Sequence, residues 1–240
     1  MIKVTVWNEY GEKQKREEVA KVYPAGIHAA IAEFLDKEKD IEVKTSTLQD
    51  DERGLSQALL DGTDVLIYWA HCYHDKVSFE DSARVVDAVN RGMGVIFLHS
   101  AHKAKPFTGL LGTSGYLEWR EAAEKERLFV TEPGHEIAAG LPLHFEIEHE
   151  EMYGEPFDIP NPEATVFIGW YKGGNVFRSG VCYTRGRGRV FYFQPGHETY
   201  GNYYLPNIQR VIVNAVRWAS PRTHASERNS CPNVAPLEEI

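Results

Sequence analysis

The amino-acid sequence predicts an α/β fold, a flavodoxin-like three-layer sandwich whose mostly parallel sheet carries an antiparallel extension in the second half. Three observations predict it. In the first hundred residues, nearly continuous apolar runs alternate with segments of helical periodicity, the pattern of strands buried on both faces. In the second half, apolar stretches follow one another closely, with turn residues such as Gly173, Gly174, Asn175, Gly186 and Gly188 between several of them, as hairpins require. Finally, 240 residues with 42% hydrophobic and 25% charged content suffice for one large domain of ordinary globular composition.

The elements follow in order. Residues 2–8 (IKVTVWN) read as the first strand, and residues 24–38 as a helix opened by Pro24, with Ile27, Ile31, Phe34 and Leu35 along one face. Residues 41–48 form a second strand by their β-branched content, and residues 55–62 a short helix stopped by Gly62. The apolar run 64–70 (DVLIYWA) is the third strand. It is followed by a helix over 79–92, carrying Ala83, Val86 and Val89 and ending at Gly92, and by a buried strand over 94–101 (GVIFLHSA). Five further strands are expected at 127–132, 143–153, 165–172, 176–185 and 189–196. A helix over 207–219, with Ile208, Val211, Ile212, Ala215 and Trp218 on one side, closes the domain.

Neither an internal repeat nor a linker divides residues 1–219, which are read as a single domain. The tail, 220–240, is poor in large apolar residues and contains Pro221, Pro232 and Pro236. Such a composition orders only by lying on something else. The tail is therefore expected to pack on its own domain or on a neighbouring subunit.

Composition also narrows the partners. The net charge of −9 arises from interspersed acidic and basic residues, so the basic footprint that nucleic acid or an anionic membrane needs is missing, and neither is expected as a partner. The first residues enter a strand directly, without the basic segment and apolar core of a secretory signal, and no apolar run approaches the roughly 20 residues of a membrane span. Three widely spaced cysteines, Cys72, Cys182 and Cys231, argue against a disulfide framework and for a reducing, cytoplasmic location.

In a doubly wound sheet, ligands bind outside the carboxyl ends of the strands. Sorted by that rule, His71 and His74 follow the third strand, His99 ends the fourth, and His197 follows the last. Asn8 and Glu9 belong to the same edge, and Trp7 and Trp69 close strands beside it. A further segment, EIEHEEMYGE, places His149, Glu151 and Tyr153 on one face of a strand, opposite Glu148 and Glu150. His102 is a candidate to line the cleft. His28 is read as structural, His144 and His224 as surface residues, and His135 as a helix start. Trp119 and Trp170 read as core residues. Cys72 is read as structural, because neighbours in an extended segment point to opposite sides and adjacency to histidines does not make a thiolate.

The blocks DVLIYWAHCYHDKV, GVIFLHSAH, HEEMYGEPFDIP, GNVFRSG and GRGRVFYFQPGHETY together resemble the ThuA-like family, the trehalose-utilisation proteins, over roughly residues 1–219. The resemblance implies a fold similar to class I glutamine amidotransferases, in which a nucleophilic cysteine sits on a sharp turn after a central strand. Here that turn reads FLHSAH, with His99 and Ser100 in the cysteine's place, and PGHE supplies His197 and Glu198 as adjacent residues. Thiolate-dependent glutamine hydrolysis is therefore not expected. No nucleotide cofactor is expected either.

Two chemistries remain open for the cleft. His71, His99, His149 and His197 are candidate ligands of Zn²⁺ or another divalent metal, nitrogen-rich sets favouring zinc. Alternatively His99, His197 and Glu151 are candidate catalytic residues moving protons on a sugar. Trp7, Asn8, His74, Tyr153 and Glu198 are candidate substrate contacts. The resemblance implies a carbohydrate-metabolism enzyme acting on trehalose-type disaccharides or their 3-keto derivatives, by isomerisation, elimination or hydrolysis, and a homo-oligomer. The alternative is a non-catalytic sugar-binding or regulatory protein on the same fold.

Overall fold

The structure, a computed structural model, describes residues 1–221 and 233–238. The first strand, β1 (Ile2–Asn8), leads through a 3-10 turn into α1 (Glu17–Val22) and then α2 (Ile27–Leu35). β2 (Ile41–Thr47), α3 (Gln57–Asp61), β3 (Val65–Trp69), α4 (Phe79–Arg91), β4 (Gly94–Leu98) and α5 (Lys105–Leu111) follow in alternation. The second half runs β5 (Glu118–Val130), β6 (His144–Gly154), β7 (Ala164–Tyr171), β8 (Val176–Arg185), β9 (Gly188–Phe193) and α6 (Pro206–Ala219). One nine-stranded sheet has the order β2-β1-β3-β4-β9-β8-β7-β5-β6. Its pairs are parallel from β2 to β9 and antiparallel from β9 to β6, which is the expected parallel sheet with its extension.

Strand alternation divides the apolar side chains between two cores, one on each face of the sheet. Val65, Ile67 and Trp69 of β3 join Ile31 of α2 and Ile212 of α6 on one face. Leu66 and Tyr68 join Val89 of α4 and Phe107 of α5 on the other. That is the three-layer arrangement. The helix over 79–92 buries Val85, Ala88 and Val89 and packs Val86, partly buried, against the same core, so of the three expected inward residues only Ala83 is exposed. Among the described residues, no helix is long and apolar enough to cross a membrane.

Three elements depart from expectation. The helix expected from Pro24 starts at Ile27, capped by Gly26 at φ +85°, and Pro24 lies in the preceding turn. The strand expected to run to residue 101 stops at Leu98, where His99 takes φ +54° and a 3-10 turn begins. β5 starts nine residues before the expected 127: Glu118 to Glu126 (EWREAAEKE) consist mostly of helix formers, but pairing with β6 holds them extended. The tail lies largely outside the described residues, as do His224 and Cys231.

Candidate functional site

The parallel strands β1, β3, β4 and β9 all end at one edge, and three histidines sit just beyond. His71 follows β3 by two residues, His99 follows β4 directly, and His197 follows β9 by four. β6 is outermost in pairing order, yet it folds back over the end of β9, where Gln194 Nε2 donates to the Glu151 carbonyl at 3.0 Å. Register shifts between Arg120 and Glu126 accompany that bend. The result is a cluster in which one ligand atom each of His71, His99, Glu151 and His197 lies within 4.8 Å of the others.

Each imidazole is held by its far nitrogen. His71 Nδ1 lies 2.6 Å from Glu198 Oε2, His99 Nδ1 3.3 Å from the Gln194 carbonyl, and His197 Nδ1 2.8 Å from Thr199 Oγ1. The three Nε2 atoms stay outside these bonds. The Thr199 N–H also donates to His197 Nδ1 at 3.3 Å, so the neutral His197 ring carries its proton on Nε2, and ligation there would move that proton to Nδ1, where Thr199 Oγ1 can accept it. His99 is the most constrained, with its ring stacked between Trp69 and Tyr153 at 6.1 and 5.4 Å. Its left-handed backbone conformation, uncommon for a residue with a side chain, aims the ring out of the sheet edge. The Tyr192 hydroxyl fixes its carbonyl at 2.9 Å.

His99 Nε2 and Glu151 Oε2 are 3.2 Å apart but not aligned for a hydrogen bond, and both are buried without a hydrogen-bond partner. An unpartnered imidazole nitrogen facing an unpartnered carboxylate oxygen is costly in a dry site. A divalent cation between them would satisfy both. Ligand atoms around zinc stand roughly 3–3.5 Å apart, so small inward rotations of the rings close the set. Three imidazoles and one carboxylate therefore fit such an ion.

Electrostatics follow the same layout. Burial pushes the His197 pKa down to about 4, and the neighbouring His99 adds to the effect. Burial also depresses His71, but its hydrogen bonds to Cys72 and Glu198 outweigh that and carry it up to about 11. Burial raises Glu198, whereas the hydrogen bond to His71 and the charges around it win, bringing it down to about 2. His74 and His102 line the same cavity and are driven to about 4 and about 3 by burial. Uncharged imidazoles at such positions suit ligation or hydrogen bonding rather than ion pairing.

Two buried carboxylates hold the backbone that presents the histidines. Glu9 accepts the Cys72 and Tyr73 N–H groups at 2.8 and 2.9 Å and the Gln14 side-chain amide at 2.8 Å. Glu150 accepts the Gly196 and His197 N–H groups at 2.6 and 3.2 Å and the Asn202 amide at 2.8 Å. Two of the three imidazole-bearing loops thus hang on anions that never reach the cleft.

Several expected site residues lie elsewhere. Trp7 is fully buried, stacked on Tyr68 at 4.2 Å with its Nε1 donating to the Arg53 carbonyl at 2.8 Å. It belongs to the core because strand alternation turns it onto the sheet face. Asn8 is buried too, bonded to His28 and to the Tyr10 N–H. His149 is exposed, its Nδ1 3.4 Å from the Ala123 carbonyl and its ring 6.2 Å from that of Tyr200, because the register shifts of this ribbon put Glu150 and Glu151 at consecutive buried positions. It lies outside the ligand cluster. Tyr153, His74 and Glu198 do line the cavity, Tyr153 bonding Ser100 and Glu198 engaged by His71.

Other residues enter unexpectedly. Cys72, read as structural, lines the cavity, and its sulfur forms a second potential ligand group with His71 and Glu198. Trp119, read as core, is 66% exposed, and it lines the mouth with Glu121. Glu121 Oε2 stands 3.8 Å from His197 Nε2 and its carboxylate is bonded by the Tyr200 hydroxyl. No apolar run announces that segment, so nothing local in the sequence places it over the cleft. The cavity measures about 630 Å³, a size suited to a small organic ligand.

The family model described as ThuA, trehalose utilisation, matches residues 3–219. A ThuA-like protein from Parabacteroides merdae superposes with a TM-score of 0.62 at 15% identity, covering 94% of this chain and 93% of that one. A cytoplasmic protein from Salmonella typhimurium gives 0.62 at 12% identity, covering 92% of this chain and all of that one. The β-galactosidase of Rahnella sp. R3 gives 0.55 at 14% identity, covering 95% of this chain but 33% of its own. At such identities these structures share the fold alone with this protein. No curated protein matches the chain.

Proposed function

The chain belongs to the ThuA family, trehalose utilisation, and from that premise we propose that it is an enzyme acting on trehalose-type disaccharides or their 3-keto derivatives with the help of one divalent metal ion. The family gives it a carbohydrate-related role. The observation that carries the finer reading is the convergence of His71, His99, Glu151 and His197, with two of their buried atoms left unpartnered. These four residues would hold the ion, and such an ion, when bound, polarises a carbonyl or hydroxyl oxygen of a sugar.

The remaining side chains divide the work. Glu198 accepts the His71 Nδ1 proton and the Gln194 carbonyl that of His99, which fixes the orientation of both rings; His71, charged at neutral pH by its raised pKa, would release its Nε2 proton on binding the ion. With Glu151 assigned to the ion and Glu198 bonded to His71, Glu121 is the acid–base group open to substrate: it is 36% exposed at the side chain and steadied by Tyr200. In a 3-keto sugar the carbonyl makes the adjacent C–H protons acidic, so a carboxylate at the mouth can move one of them. Returning the proton from Glu121 at a different position of the enolate completes an isomerisation; in an elimination the C1–O glycosidic bond breaks as the C1=C2 double bond forms, and the leaving oxygen takes the proton that Glu121 removed from C2.

Protein purified without a histidine tag and analysed for Zn, Mn, Fe, Co and Ni tests the metal. Roughly one equivalent is expected in wild type, and far less in His197→Ala. Following 3-keto-trehalose by NMR tests the reaction. Equal products at equal rates from wild type, His197→Ala and Glu121→Gln would refute it.

A further inference from the structure

We propose that Trp119 is a stacking platform for a second, non-reacting hexopyranose ring, so that the site selects disaccharides over single sugars. The inference rests on the reading of the cleft as a sugar site and adds its specificity. Trp119 and Glu121 are alternate residues of β5 and both face the cavity, while Arg120 between them turns away to Glu124 and Asn175. In register Trp119 lies opposite Tyr153, whose ring stacks on His99 at 5.4 Å. Cross-strand neighbours stand about 5 Å apart, which sets the indole on the order of 10 Å from the imidazole cluster. A single ring held at the histidines does not span that distance; a linked pair does.

The indole is also free. It is 66% exposed, and among the described residues no ring stacks on it and its Nε1 has no hydrogen-bond partner. Elsewhere in the cavity wall Lys13, Arg16 and Glu18 supply polar groups able to meet sugar hydroxyls. An aromatic face for the apolar side of a pyranose, bordered by donors and acceptors for its hydroxyls, matches the chemistry of a carbohydrate ring. The neighbouring large tryptophans do not compete for the role: Trp7 and Trp69 are fully buried.

Calorimetric titration of the full chain, with and without Zn²⁺, tests this with trehalose and with glucose as probes. Trp119→Ala is expected to weaken trehalose binding roughly tenfold and to leave glucose binding unchanged; Trp119→Phe keeps most of the affinity, and Trp170→Ala is silent. Equal trehalose affinity in wild type and Trp119→Ala overturns the proposal, as does wild type binding neither sugar. A loss of oligomeric mass in Trp119→Ala with sugar affinity unchanged overturns it too, and would assign the indole to a second copy of the chain. Metal content, measured on the same samples, keeps the two readings apart. A metal-free cluster with the Trp119 effect intact refutes the metal reading alone, and a loaded cluster indifferent to Trp119 refutes the platform alone.

Discussion

Replacing Glu9 by Gln separates two views of how the His71 loop is held. Burial pushes the Glu9 pKa up, and the N–H groups of Cys72, Tyr73 and His71 pull it back. If the group were a neutral acid, glutamine would be nearly isosteric with it and the change would cost almost nothing. The geometry argues for the anion: Oε1 accepts from Cys72 N and Gln14 Nε2, and Oε2 accepts from Tyr73 N. All three partners are donors. A glutamine amide must turn its NH₂ towards one of them, orphaning a buried N–H at a cost of about 1–3 kcal/mol, and the surviving bonds lose about 1 kcal/mol each of charge assistance. Relief of the buried charge offsets part of this. The net destabilisation is about 2–3 kcal/mol. Urea unfolding followed by circular dichroism at neutral pH should show a midpoint lowered by roughly 1 M at a slope of about 2–3 kcal/mol/M. Zinc affinity should fall about 10–100-fold, the usual effect of losing support behind a ligand. A loss of stability below about 0.5 kcal/mol with unchanged zinc affinity would refute the argument.

Three other outcomes are expected. His99→Ala should abolish stoichiometric zinc binding, measured by competition with a chromophoric chelator, while His149→Ala should leave it unchanged because that side chain lies outside the cluster. Asp81 is fully buried, yet hydrogen bonds from Arg53 and Ser78 outweigh the effect of burial and bring its pKa down to about 2. Its folded value lies below the ordinary 3.8, so its contribution of roughly 2.5 kcal/mol is present above pH ~4 and lost as pH falls towards 2. Asp81→Asn should therefore destabilise the protein at pH 7, with the difference from wild type shrinking towards pH 2 in urea titrations. Gly94→Ala should cost more than about 2 kcal/mol, since the new Cβ would stand 2.3 Å from the Ala219 carbonyl oxygen at the end of α6; an unchanged thermal midpoint would contradict this.

Much of the parallel half was legible because each strand there is an uninterrupted apolar run buried on both faces. DVLIYWA and GVIFLHSA announce themselves, and the strand-end rule then leads directly to His71, His99 and His197. The same rule overreached at Trp7 and Asn8, which end a strand but point into the core and towards His28. Strand-end position says that a residue is near the edge, and only packing says which way its side chain faces. His149 failed for a related reason: strict alternation holds only in a regular strand, and the ribbon of β5 and β6 is shifted in register. α5 went unread because KPFTGLL is short and weakly helical, and its fold comes from burying Phe107, Leu110 and Leu111.

By itself the sequence determined the layers and the edge at which ligands would gather. Hydrophobic period is a local property, set by which faces of each element must leave water. It also put three imidazoles after three different strands. Tertiary structure alone decided which polar groups converge there. Glu151 reaches His99 because the outermost strand in pairing order folds back over β9, and Glu121 and Trp119 arrive on a segment whose composition favours helix. The long-range pairs that hold the rings, Glu198 with His71, Gln194 with His99 and Glu150 with the His197 loop, join residues up to 127 positions apart. No local pattern encodes such a distance, because it results from how the whole sheet is wound.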